Sequence, residues 1–379
     1  MIYGVMIMRE YAAKVAAVVK ISVAAIFFCF CITDATTVAA TVTGSIQRCI
    51  SVVVPSLLAM MIFSSLIVRS GMIALLPEWM GRLGKLLFGM DKGELSIFLF
   101  SMVAGYPVGI KMLAEEYTSG RITTKRAELL SGLCFGAGPA FVYGCIARQL
   151  FRSVDAGKLI LLSSVSAKII IAFIMSVPMR RAAASKSLSR RRVSISADML
   201  TDCVIRSGRA MADICILITG FSVLTAFLVS TGVMAAAAEI PAKLLCLDRS
   251  CVEAAIAALI DITNVEGLPH GDFLLLPFIS GAVSFGGLCV LFQLSALTAG
   301  KISLRPLVIT RTAAAFLSSR ICSLLLPFFI KDEAVEATAV LAGRYGVERT
   351  VPSAMLILMT IMLIWEFGDK TVESSAYST

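Results

Sequence analysis

Chemistry in this chain has to come from the places where its apolar runs break. Ser101, Gly105, Tyr106, Pro107, Gly109 and Lys111 crowd into one such run, and Gly138-Pro139 interrupts the next. A third run, 273–298, is broken at Pro277, at Ser280-Gly281 and at Ser284-Phe285-Gly286-Gly287. Proline removes a backbone donor and clashes with the preceding turn, and glycine accepts backbone shapes that other residues resist. In hydrocarbon a freed N–H or C=O must find another partner, so a broken helix survives only against protein or a water-filled cavity. Paired interrupted segments therefore point to a solute site.

Each candidate has two readings. Gly105, Tyr106, Pro107 and Gly109 would shape an unwound turn that shows backbone groups to a solute, or merely kink a packed helix. Gly138 and Pro139 do the same in the second run. Lys111 can pair with a carboxylate ligand or snorkel to the interface. Ser101, Ser280 and Ser284 can donate to solute oxygens or serve as small packing residues. Asn264 and Glu266, beside Gly267, can bind a solute or a coupling cation, or cap a helix. Gln293, just past Gly286-Gly287, can hydrogen-bond a solute or a neighbouring helix. Glu128, Lys168, Asp213, Asp261, Arg311 and Arg320 are ionisable residues in or at the edge of apolar runs. Such charge is costly in a membrane, but none of these is assigned to a site.

The elements that carry these residues are membrane helices. Of 379 residues, 58% are hydrophobic and 16% charged, with mean hydropathy +0.90. Soluble domains hold roughly 45–50% and about 25% of these, and apolar runs near the ~20 residues of a bilayer crossing recur throughout. The net charge of +9 reflects basic cytoplasmic loops, not nucleic-acid binding, because no aromatic-interleaved basic domain accompanies it. The 11 cysteines lie mostly inside apolar runs without a CxxC pair, so neither a disulfide framework nor a metal site is expected. One histidine, His270, and no phosphate-loop or HExxH motif leave no catalytic constellation and no cofactor.

Taken in order, a first span covers 15–33, followed by an outer loop, Asp34–Gly44. A second span runs 46–68. Arg69, Arg82, Lys85 and Lys92 mark the inner side. Lys111, Arg121, Lys125 and Arg126 flank the far end of 95–110, so that segment enters and returns unless Glu115 and Glu116 dilute the signal enough for a crossing. Spans at 127–147 and 159–177 precede the basic stretch 180–209, which is cytoplasmic and separates two halves. The second half holds spans near 212–233, 273–298 and 306–329, and a last span covers 353–365. Five segments result: 1–44, 45–179, 180–209, 210–333 and 334–379.

The halves resemble each other. Ser65–Gly71 is similar to Ala226–Gly232, Arg48 falls on Arg209, and Ser119–Thr123 is similar to Ala299–Ser303. The second register sets Ser101 against Ser280 and Gly105 against Ser284. One half begins after an outer loop and the other after an inner loop. The fold class expected is therefore an all-α polytopic membrane protein, transporter-like, of two inverted-topology repeats with broken or re-entrant helices. On this scheme Lys301 and Arg305 fall outside, against the usual bias.

Ala104–Lys111, the turn Gly138–Phe141, Thr263-Asn264 with Gly267, and Ser284–Gly287 with Gln293 resemble the sporulation integral membrane proteins of the YlbJ type. These belong to the nucleoside-recognition gate domain superfamily, which is similar to concentrative nucleoside transporters. The likeness covers roughly residues 45–329; the Gly-Tyr-Pro-x-Gly-x-Lys run is its most specific part. It differs from the family pattern at Phe135-Gly136-Ala137. The resemblance implies a permease with re-entrant hairpins, working in the cell membrane or the forespore outer membrane. For the sporulation branch it implies a small anionic aromatic solute, dipicolinic acid. A nucleoside or nucleobase carrier is the alternative within the superfamily, and a membrane scaffold or accessory subunit the alternative outside it. The substrate-binding set expected is Ser101, Gly105, Tyr106, Pro107, Gly109, Lys111, Gly138, Pro139, Asn264, Glu266, Ser284, Gly286, Gly287 and Gln293. The partners expected are that solute, a coupling ion and the lipid bilayer.

Overall fold

The computed structural model describes residues 2–134, 136–182 and 193–330, and every element among them is helical. The last span expected, 353–365, lies outside the described residues. Helix α1 (Ile2–Thr33) meets α2 (Ala35–Arg48) at a kink on Asp34. Asp34 N donates to Phe30 O at 2.9 Å and Val38 N to Asp34 O at 3.1 Å, so the ladder carries through the kink. The stretch expected as an outer loop is thus helical from Ala35, because its Thr and Ala residues contain no proline to stop a turn. A wide π-type turn, Cys49–Val53, passes into α3 (Val54–Ser70).

An amphipathic α4 (Glu78–Phe88) follows. Asp91 and Glu94 then form a reciprocal cap: Asp91 Oδ1 accepts from Glu94 N at 2.8 Å and Glu94 Oε2 from Asp91 N at 2.9 Å. This starts α5 (Lys92–Ala104), which stops at Gly105. Helix α6 (Tyr106–Thr118) folds back sharply against α5. A Cβ on Gly109 would stand 2.5 Å from Ser101 Cβ, so the two helices touch four residues on either side of the break. Arg126, beyond α6, pairs with Glu94 at the start of α5 and donates to Gly89 O at 2.9 Å. Both ends of the hairpin therefore lie at one end of the bundle.

From that end α7 (Thr124–Ser131) runs inward and stops, and helix resumes as α8 (Pro139–Phe141) and a wide π-type turn, Val142–Phe151. Helix α9 (Val154–Arg181) returns to the basic end, where Arg126 also reaches Met179 O at 2.8 Å. Helix α10 (Ala197–Ser230) starts there too: Asp202 pairs with Arg69, and Ser194 N donates to Ser70 O at 3.2 Å. Arg206 and Arg209, expected in the basic linker, lie in this helix.

After α10 the chain forms a second hairpin and a second broken span. Helix α11 (Val233–Leu245) leads to α12 (Arg249–Ile260), which ends at Asp261; a short 3-10 turn, Ile262–Gly267, returns from it. Helix α10 carries the chain away from the basic end before α11 and α12, and beyond the hairpin Gly271 N donates to Leu150 O at 2.9 Å. Both ends of this hairpin thus lie away from the basic end. Helix α13 (Leu276–Phe285) runs inward from there, breaks at Gly286 and resumes as α14 (Gly287–Leu297). Helix α15 (Arg305–Phe329) runs antiparallel to α13: Ser318 meets Ser280 at 2.7 Å, and Ala315 O lies on Gly281. This places Arg305 toward the end where α7 begins. Lys301 and Arg305 therefore follow the basic bias instead of opposing it.

Five of the described helical stretches are long and apolar enough to cross a bilayer: 35–70, 154–181, 197–230, 273–297 and 305–329. Ile169, Ile170, Phe173, Ile174 and Val177 leave one face of α9 exposed. In water that stripe would be an unpartnered apolar patch; in lipid it is the outer surface.

Candidate functional site

Three interruptions, and the helix that follows a fourth, meet at one cavity of ≈ 40 Å³. Its wall takes Gly105, Tyr106 and Pro107 from the first hairpin tip, and Ala137, Gly138 and Phe141 from the first broken span. Asp261, Ile262 and Thr263 come from the second hairpin tip, and Val290 and Gln293 from α14. Val53, Ser56 and Leu57 on one side, and Ile214 and Ile218 of α10 on another, close it. At about 10–15 Å³ per water position the cavity has room for about three waters.

Local chemistry builds the tips. Gly105 has φ +88°, a backbone region hostile to side chains, and a Cβ there would meet Gly138 N at 2.9 Å. Tyr106 N, freed by the break, donates to Gly136 O at 3.2 Å. Pro107, Pro139 and Pro277 fall in first helical turns, where the missing N–H costs nothing. The second half uses the same contact: a Cβ on Gly287 would lie 3.1 Å from Ile260 O and 3.2 Å from Ile262 N. Each hairpin tip thus rests on the broken span of its own half.

Buried polar atoms without partners cluster here. Among the described residues, six of the eight buried side-chain nitrogens and oxygens lacking a hydrogen bond belong to Asp261, Thr263, Ser284 and Arg311. Asp261 is 1% exposed; Oδ1 accepts from Thr263 N at 3.0 Å, while Oδ2 has no partner. Arg311, on α15, is fully buried against Gly286, and its guanidinium lies 5.9 Å from the Tyr106 ring centre and 5.4 Å from that of Phe285. Lys168, on α9, lies against the first broken span: a Cβ on Gly136 would meet its Nζ at 3.1 Å, and that Nζ donates to Ser101 O at 3.3 Å.

Of the residues expected to bind solute, Gly105, Tyr106, Pro107, Gly138 and Gln293 line the cavity. Gly286 and Gly287 form the second span break, Ser284 ends the helix before it, and Pro139 starts the helix after Gly138. The others lie elsewhere. Ser101 Oγ donates to Phe98 O at 2.6 Å, and Gly109 packs on its Cβ. Lys111 faces α3 and α10, donating to Met61 O at 3.2 Å and Ser207 Oγ at 2.5 Å. Asn264 Nδ2 donates to Ala257 O at 3.3 Å. Glu266 lines an open groove at the end away from the basic loops, with Gln47, Arg48 and Gln149. A neighbouring groove carries Arg148 and Arg152 and shares Ser56 with the cavity. Asp261 and Thr263 complete the cavity wall, and Arg311 lies against the ring of Tyr106. Their signal in the sequence was charge and hydroxyl inside apolar runs, shared with residues that sit elsewhere.

Comparison with family models, curated proteins and solved structures returns no match to this chain. Fold and site define the class: an all-α, multi-pass membrane protein with broken helices around a central cavity.

Proposed function

We propose that this protein is a permease of two inverted-topology halves, carrying a small solute by alternating access about the central cavity. One observation carries the reading: two hairpin tips and two broken spans, entering from opposite ends, converge on one partly polar cavity. Broken helices at a midplane site are how secondary transporters present backbone groups to solutes, and a packed scaffold has no use for four of them at one point. The halves correspond as α5–α6 with α12 and its 3-10 turn, α7–α8 with α13–α14, and α9 with α15. In this correspondence Gly105 answers to Asp261 and the 136–139 break to Gly286, a different register from the one the short sequence matches suggest.

The solute implied by the resemblance is a small aromatic anion such as dipicolinate, taken up across the membrane in which the protein sits, with the basic loops in the cytoplasm. Arg48, Arg148 and Arg152 in the grooves beside the cavity support an anion, since like-signed clefts concentrate the opposite charge. A nucleoside is the second reading, favoured by Asp261, Thr263 and Gln293 on the wall, which suit neutral hydroxyl and amide groups. Uptake of radiolabelled dipicolinate and uridine into proteoliposomes holding the full chain tests both. Transport of one, saturable and competed only by its own class, is the expected result; absence of any uptake with correctly inserted protein would remove the permease reading.

A further inference from the structure

We propose that Arg311 is the anion-binding centre of this protein, taking a carboxylate of the solute on its guanidinium, with Tyr106 as the movable wall between it and the cavity. This rests on the permease reading for its role in transport, though not for binding itself.

Arg311 is fully buried, and none of its three guanidinium nitrogens has a hydrogen-bond partner. The rings of Tyr106 and Phe285 face it and ease its charge by cation–π attraction. That attraction acts on the face of the planar group and leaves the in-plane N–H donors unsatisfied. A buried charge without counter-ion or acceptor is among the costliest features a protein can hold, so its retention needs a use.

Two structural explanations fail. A cation at the end of α13 could cap the last carbonyls of that helix, but the N–H groups of Arg311 reach none of them. Lys168, the counterpart in the first half, does donate to a carbonyl, Ser101 O at 3.3 Å. Nor is Arg311 half of an ion pair, since none of the ion pairs among the described residues includes it.

The surroundings suit a carboxylate. The planar guanidinium fork matches its two oxygens. Ser284 Oγ, buried and unpartnered in the last turn of α13, is a further donor at the same break. Helix α14, 11 residues long, starts at Gly287 with first-turn N–H groups that have no acceptor within the helix. Tyr106 lines the cavity on one side and carries Arg311 on its ring, so one side-chain rotation would join the two. Gly286 supplies the clearance, because a Cβ there would overlap Arg311 Nη2.

The test uses purified full-length protein in nanodiscs and proteoliposomes, with pyridine-2,6-dicarboxylate and benzoate as charged probes and uridine as the neutral one. Wild type should bind the carboxylates. Arg311→Met should weaken that binding by about 100-fold, and Arg311→Lys by about 10-fold, because a point charge keeps attraction and loses the fork. Arg311→Met should also raise the melting temperature, since it removes an uncompensated buried charge. A lower melting temperature with carboxylate affinity unchanged would make Arg311 a packing residue and overturn the proposal. Uridine uptake without carboxylate binding would also overturn it, leaving the permease intact. Arg311-dependent carboxylate binding without uptake would keep the anion site and remove the permease.

Discussion

Gly105 and Gly138 meet backbone to backbone: a Cβ on the first would stand 2.9 Å from the amide nitrogen of the second, and a Cβ on the second 3.0 Å from Val103 O. The tip of the α5–α6 hairpin therefore lies directly on the unwound part of the next span. The second half makes the equivalent contact between Gly287 and the backbone around Asp261. In both, the absence of a side chain lets two unwound segments share one place, so peptide groups that lipid would strand can face each other and the cavity.

Alanine at these positions should separate strain from contact. Gly105→Ala suffers both, a positive φ and a clash, and should cost about 2–4 kcal/mol with loss of solute uptake. Gly138 has an ordinary φ of −77°, so Gly138→Ala pays only for the contact, roughly 1–3 kcal/mol. Gly220→Ala, where nothing lies within 4 Å, should be neutral or stabilising by up to about 1 kcal/mol. Thermal unfolding in detergent, beside proteoliposome uptake, orders the three. Equal behaviour of Gly105 and Gly220 variants would contradict the packing described.

Asp261→Asn should show opposite effects on stability and function. The asparagine carbonyl can still accept from Thr263 N, as Oδ1 does at 3.0 Å, so the 3-10 turn after it survives. What disappears is a buried negative charge whose second oxygen has no partner. Stability should rise by about 1 kcal/mol or more, while uptake falls by about tenfold if the charge serves the solute or a co-bound cation. A thermal shift assay and initial uptake rates on the same preparation check both signs.

The apolar runs, the membrane class and the positions of the chain breaks were legible in the sequence, because glycine and proline act locally. Helices stop at Gly105 and Gly286, and one resumes after Gly138. The partners of the breaks were not legible. Lys111 is one residue past Ile110 in the same run as Tyr106, but helical phase turns it toward Met61 and Ser207. Arg311 is 25 residues beyond Gly286 and reaches it only because α15 returns alongside α13. Asp261, at the tip of the second hairpin, is not a glycine, so no local glycine signal marks that turn.

The basic end depends on one buried cation. Arg126, 4% exposed, binds Glu94, Gly89 O and Met179 O, joining the start of α5 to the end of α9. Arg126→Met removes a buried ion-pair partner of Glu94 and should cost about 3–5 kcal/mol. Adding Glu94→Gln should recover part of that loss, although the carboxylate also caps α5 through Asp91 N. Expression level and unfolding midpoint of the single and double variants measure the coupling; a double variant no more stable than Arg126→Met would show that the carbonyl contacts dominate.

Lys111 separates assembly from binding. Its ammonium links α6 to α3 and α10 through Met61 O and Ser207 Oγ, and Glu115 lies 3.9 Å away. Glu115 in turn accepts from Ser65 Oγ at 2.6 Å, while its other oxygen is buried and unpartnered. Lys111→Met removes the only cation within ion-pair distance of Glu115 among the described residues, and should cost about 1–3 kcal/mol. Because Lys111 is absent from the cavity wall, the solute KM of protein that does fold should stay within about twofold of wild type. Glu115→Gln in the same background should restore stability without touching KM. If instead Lys111→Met raised KM tenfold at unchanged melting temperature, the ammonium would belong to the solute path and the cavity wall drawn here would be too narrow.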